Sequence, residues 1–237
     1  MRCYPSEIRA LMESNSTMLF SREVAEPLML TLKTAAITLT LHLAAGVISG
    51  YLLTKGKSFF GFIADAVITL PLVFPPIATG FLLLLLLGRN GIIGQPLLAM
   101  GSEIIFSQSG VFIASFIAGL PLVVKSVQAA IAAMNPALSE AAWTLGKSRL
   151  QTYLFVVLPA IRHALLTGLI LSLGRSLGEV GITLMLGGNI IGKTETVSLA
   201  VYNAVFEGNF EKAALLSFML GLISLIMFYA LKKISNT

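Results

Sequence analysis

Charge is scarce in this sequence. Asp, Glu, Lys and Arg make up 11% of its 237 residues, against about 25% in soluble domains. With 56% of residues hydrophobic, the chain cannot clothe a water-exposed surface, so most of that surface must face lipid. Cysteine occurs once, at Cys3, which excludes an internal disulfide and a multi-cysteine metal centre and leaves the redox compartment unread. The two histidines, His42 and His163, form no cluster with metal-ligand spacing, so no metal is expected. The net charge of +5 comes from basic residues scattered between apolar runs. No basic stripe with interleaved aromatics is present, and nucleic acid is excluded as a partner. Residues 1–27 hold Arg2, Glu7, Arg9, Glu13, Arg22, Glu23 and Glu26 and no early apolar core, so a secretory signal peptide is not expected. Gly56-Lys57-Ser58 and Gly146-Lys147-Ser148 lack the earlier glycine of a phosphate-binding loop, since Tyr51 and Ala141 stand there. The chain is not expected to bind ATP by this motif.

What is abundant is long apolar runs. A hydrocarbon layer about 30 Å thick is crossed by about 20 apolar helical residues. Five runs qualify, at 28–53, 59–87, 110–130, 164–186 and 213–231. They are too long for barrel strands. The expected fold is an all-α integral membrane domain of about five transmembrane helices. Its expected divisions are a polar N-terminal segment 1–27, a transmembrane domain 28–232 with a cytoplasmic loop 132–160, and a tail 233–237. Lys55, Lys57, Lys125, Lys147, Arg149, Arg162, Lys232 and Lys233 fall at alternate ends of the runs. Positive loops stay cytoplasmic, so the N-terminus is placed outside and the C-terminus in the cytoplasm of a multi-pass inner or plasma membrane protein.

Three features interrupt this apolar background. Pro71, Pro75 and Pro76 fall within the second run, where missing donors and ring clashes should break the helix. Such a break suits a pathway-lining element, or a kinked packing helix. Gly46/Gly50 and Gly174/Gly178 repeat at a spacing that allows close helix approach in lipid. Arg175 and Glu179 stand four apart inside the fourth run, where ionisable groups are expensive and pair or face a cavity. Their pairing admits two roles, mutual neutralisation or a positive potential offered to a passing anion. Gly174-Arg175-Ser176-Leu177-Gly178 matches a hydrolase nucleophile elbow. It lies in a membrane helix without a strand–turn–helix setting or a paired His, so no catalytic residue is assigned.

The loop after the third run is the most informative segment. Asn135 suits an N-cap, Pro136 the first helical position, and Gly146 a left-handed stop. The predicted helix, 136–145, is about 15 Å long, too short to cross a bilayer. Ala137, Ala141 and Ala142 should form a smooth strip beside Glu140. Such a helix fits a groove on a partner, or rests on lipid headgroups.

Glu140-Ala141-Ala142, Gly146 after three residues, then Val156-x-Leu158-Pro159 after nine more resemble the signature loop of prokaryotic ABC importer permeases, with Val156 in place of isoleucine. Residues 70–76, 87–91, 175–181 and 188–196 are similar to segments of molybdate permease subunits. Tungstate and sulfate permeases are close relatives. The resemblance implies that Glu140, Ala141, Ala142, Gly146, Leu158 and Pro159 form a coupling loop. It also implies a homodimer, with two ATPase subunits that hold ATP and Mg, and an external oxyanion-binding protein. Pro75, Pro76, Arg175 and Glu179 become candidate pathway or gate residues. An ion-coupled secondary carrier would share the broken span but would need no ATPase.

Overall fold

A computed structural model describes residues 22–53 and 59–235. Most of the polar N-terminal segment, Lys55, Lys57 and the last two residues lie outside the described residues. The described residues are helical, with no strand among them. In chain order the helices are α1 (Arg22–Leu53), α2 (Phe59–Val73), α3 (Pro76–Leu87), α4 (Gly94–Ala99), α5 (Gln108–Ala133) and α6 (Ala137–Thr144). There follow α7 (Arg149–Ala160), α8 (Arg162–Leu177), α9 (Gly181–Gly187), α10 (Val197–Phe206) and α11 (Phe210–Ser235).

Three of the five predicted runs are single helices long and apolar enough to cross a membrane: α1, α5 and α11. The other two are each divided. The second run breaks between α2 and α3 at Phe74-Pro75, while Pro71, also expected to break it, stays inside α2. Pro75 and Pro76 bring no backbone N–H, so α3 restarts with Pro76 at its first position. The fourth run ends α8 at Gly178 and resumes as α9. Its first helix also meets α7 at a 71° bend. An apolar helix that the run count left in a loop, α10, starts on a Thr196 side-chain cap, whose oxygen accepts from Leu199 N–H.

α5 is the centre of the bundle. Over half of its apolar window is buried against other helices, whereas α11 buries 6% and leaves Phe218, Leu225 and Ile226 exposed. α5 carries small residues toward its neighbours, so α1, α8 and α9 close in on it. Val123, Val124 and Val127 pack with Ile161, Leu165 and Leu169 of the α7–α8 corner and α8. Ala114 and Ala118 pack with Ile182 and Leu186 of α9. Gly46 of α1 lies in a notch, where a Cβ would sit 2.7 Å from Leu165 and 2.9 Å from Val123. Gly174 and Gly178 do not repeat this, since a Cβ on Gly174 would meet nothing within 4 Å and one on Gly178 only the Gly174 carbonyl at 3.8 Å. The four-residue spacing therefore marks close packing in α1 but not in α8, where Gly178 ends the helix instead.

Candidate functional site

The loop helix forms as its residues dictate. Asn135 Oδ1 accepts from Ala137 N–H at 3.0 Å, satisfying one of the orphan donors of a helix start. At the other end Gly146 adopts φ +77°, a left-handed turn that glycine enters without steric cost. Its N–H bonds the Trp143 carbonyl, and Lys147 N–H reaches back to the Ala142 carbonyl. Ser148 and Gln151 then exchange hydrogen bonds as a capping box that opens α7.

Glu140 and Ala141 are exposed, as is Ala137. Ala142 turns inward and is buried, so the predicted alanine strip is split. It falls one position beyond the exposed face, on the side that packs on α7. The outward side of this segment is instead apolar and bulky, with Leu138, Trp143 and Leu145 exposed, the last by 81%. Leu158 is half-buried and Pro159 exposed. Both follow a π turn, Tyr153–Val157, in which Leu158 N–H bonds back to the Tyr153 carbonyl. Pro159 has a physical part in this. It cannot donate to the carbonyl four residues back, and its ring crowds that carbonyl, so the turn before it widens.

Of the remaining candidates, Arg175 and Glu179 come together with Pro76 nearby, while Pro75 stands exposed at the break before α3. Arg175 lies in the last turn of α8. Glu179 is not on that helix, because Gly178 ends it first. The carboxylate is nonetheless within reach, and Arg175 Nη1 donates to Glu179 Oε2. Glu179 Oε1 accepts from Ile182 N–H at 2.8 Å, tying the start of α9 to the end of α8. Its side chain is 1% exposed while that of Arg175 is 32% exposed, so the acid is the buried member and the guanidinium its outlet. Thr31, Thr34 and Thr38 of α1, Ser115, Ser176 and Thr196 line the small space around it. Pro76 touches this joint, since a Cβ on Gly181 would lie 2.8 Å from Pro76 Cβ. α3 and α9, the restarted halves of two broken runs, are thus packed side by side. Ser176 of the elbow-like motif donates to the Ser115 carbonyl at 2.6 Å. His42 is fully buried, with Nε2–H on the Phe116 carbonyl at 2.9 Å and its ring stacked on Phe116. Neither has the geometry of a nucleophile–base pair.

A profile of binding-protein-dependent transport system inner membrane components matches residues 42–236. The chain belongs to this family. The permease is 35% identical to the molybdenum transport system permease protein ModB of Haemophilus influenzae, over 86% of this chain and 91% of that protein. It is 31% identical to the sulfate transport system permease protein CysT of Salmonella typhimurium, over 81% of this chain and 69% of that one. Its fold matches that of a bacterial alginate ABC transporter solved with an alginate pentasaccharide-bound periplasmic protein. That match has a TM-score of 0.74 at 17% identity and covers 93% of this chain and 81% of that one. The permease is therefore a multi-pass inner-membrane transport component and not an enzyme.

Sequence reasoning missed two polar clusters. Lys125, placed late in the third run among the positive ends, is paired with Asp65 of α2 at 2.7 and 2.8 Å, and Gln128 donates to the same carboxylate. A lone aspartate in an apolar run was the available signal. At the opposite end from α6, Asn189 bonds Asn203 at 2.6 Å, and Asn203 bonds buried Glu195 at 2.6 Å. Burial pushes the Glu195 carboxyl above its ordinary value, and the Asn203 hydrogen bond pulls against that. Polar residues between two apolar helices gave no pattern from which this network could be read.

Proposed function

We propose that this permease is the membrane-spanning subunit of an ATP-driven oxyanion importer, with molybdate as its substrate. The observation that carries the proposal is α6, a short helix capped at both ends that holds Glu140 and Ala141 outward in the signature loop. Its exposed Leu138, Trp143 and Leu145 supply an apolar contact for a groove on an ATPase subunit. That partner holds ATP and Mg. Two copies of the chain pair around a central pathway, each docked on one ATPase, and an external binding protein delivers the anion. Relatives that carry molybdenum, and an ABC transporter solved with a periplasmic protein, support this division of labour.

Docking puts α6 and its basic neighbours Lys147, Arg149 and Arg162 in the cytoplasm, which fits the excess of positive loops there. It places the Glu195 network and the N-terminal end of α1 outside. ATP binding draws the two coupling helices together, and the Arg175–Glu179 joint, with Pro76 beside it and Pro75 at the neighbouring break, serves as the gate. Oxyanion release requires that this gate bind weakly, in keeping with a guanidinium already neutralised by Glu179.

Co-purification tests the docking. Glu140→Lys reverses the charge of an exposed residue, so the helices should insert and fold normally while the ATPase is lost from the complex. An ATPase that stays bound to Glu140→Lys would remove α6 from the interface. A second reading, sulfate as substrate, is favoured by the likeness to sulfate permeases.

A further inference from the structure

The coupling segment grips a helix to which it is not chained. α6 and α7 follow α5 and lead into α8, but Tyr153 reaches across to α1. Its hydroxyl donates to the Val47 carbonyl at 2.7 Å, between residues 106 positions apart. The tyrosine is 1% exposed, and its ring meets Tyr51 with centroids 5.5 Å apart. Gly50 makes room for it, since a Cβ there would sit 2.6 Å from the hydroxyl oxygen and 3.0 Å from Val127. A helix carbonyl has a second lone pair beyond its own ladder bond, so the contact leaves α1 intact. Tyr153 also opens the π turn that Pro159 enforces. The grip therefore sits where α7 is widened, a setting frequent at functional sites.

α1 leads from this grip to the α8–α9 joint. From Val47 to Thr31 it runs about 24 Å as one unbroken helix. Thr31, Thr34 and Thr38 border Ser176 and Glu179. Thr31 Oγ1 accepts from Val197 N–H at 2.9 Å, which fastens α1 to the start of α10. Between its ends α1 is packed on α5 and α8, so a shift along its axis has few other outlets.

We infer that Tyr153 is a positioning residue that couples displacement of α6 to α1, and that α1 carries it as a rod to the Arg175–Glu179 joint. The inference rests on the docking reading above and names the route by which docking would act. Its signature is loss of coupling without loss of either part. In liposomes holding the permease with its ATPase, Tyr153→Phe should leave ATPase binding and ATP hydrolysis near wild type and lower the melting temperature by no more than one lost hydrogen bond accounts for. Uptake of labelled molybdate per ATP hydrolysed should fall roughly fivefold, the order expected for one lost hydrogen bond. Gly50→Ala, which displaces the hydroxyl from the other side, should give the same loss and carries the test where Tyr153→Phe accumulates poorly. In uptake per ATP the double variant should be no worse than Gly50→Ala alone, because the Tyr153 hydroxyl contact can be lost only once. Wild-type uptake per ATP in either single variant, or additive losses in the double, would overturn the inference. Glu140→Lys in the same series separates the two claims. If it sheds the ATPase while Tyr153→Phe stays coupled, the rod fails and docking stands. If it keeps the ATPase, docking fails and the rod with it.

Discussion

Glu179 shows what a buried carboxylate demands of its neighbours. A carboxylate at 1% exposure needs both a counter-charge and hydrogen bonds, and it finds them in Arg175 and the Ile182 N–H. Removing one partner from such a buried pair costs about 3–5 kcal/mol. Arg175→Met should therefore lower the melting temperature and abolish uptake. Arg175→Met combined with Glu179→Gln should recover the melting temperature but not the uptake, as expected for a gate. Full recovery of uptake would reduce the pair to mutual neutralisation. Glu195 offers a pH test at the other pole. Its pKa is raised by burial, so folding favours the protonated form. The stability this contributes is present below the ordinary carboxylate range and is lost as pH climbs through the raised value. As pH rises from the ordinary carboxylate range through the raised value, the wild-type melting temperature should carry a falling component that Glu195→Gln removes. An unchanged slope in the variant would contradict this. That Arg175 and Glu179 would meet was legible from their spacing. That Glu179 would stand beyond the helix end was not, because Gly178 inside an apolar run reads as a packing residue until its neighbours are known.

Among the elements, those governed by local chemistry were the readable ones. Asn135, Pro136 and Gly146 bound α6 to within a residue at each end, because caps and left-handed stops are local. Pro75 and Pro76 broke the second run for an equally local reason. The inward turn of Ala142 depends on where α7 packs, which no local pattern encodes, and the exposed set of Leu138, Trp143 and Leu145 follows from that same placement. α10 stayed hidden because ten residues are too few to register as a membrane span. The stop at Gly146 gives a check at this scale. Its φ of +77° lies in open space, with nothing within 4 Å of a Cβ. Gly146→Ala should then cost only conformational strain, about 1–2 kcal/mol, and fray the end of α6. A measurable drop in ATPase affinity without loss of the membrane fold is the expected outcome. Affinity equal to wild type would show that the turn is not needed to present α6.

At the scale of the molecule, the permease is a core helix, α5, with the other helices packed around it. The loop helix α6 lies at one end of the bundle, the paired restarts α3 and α9 meet at the joint, and α11 buries only a small share of its apolar length against the rest. Family membership and an all-helical fold follow from the long apolar runs and the signature loop together. The broken runs could be counted from hydropathy, but how their halves pair could not, since lipid offers no hydrophobic preference between helices. The Gly181–Pro76 contact that aligns them is a matter of shape. The most direct test of the whole account is uptake of labelled molybdate into liposomes holding the permease with its partner ATPase. The account predicts uptake that requires hydrolysable ATP and disappears with Glu140→Lys. Uptake that proceeds without the ATPase, or is driven by an ion gradient alone, would contradict it.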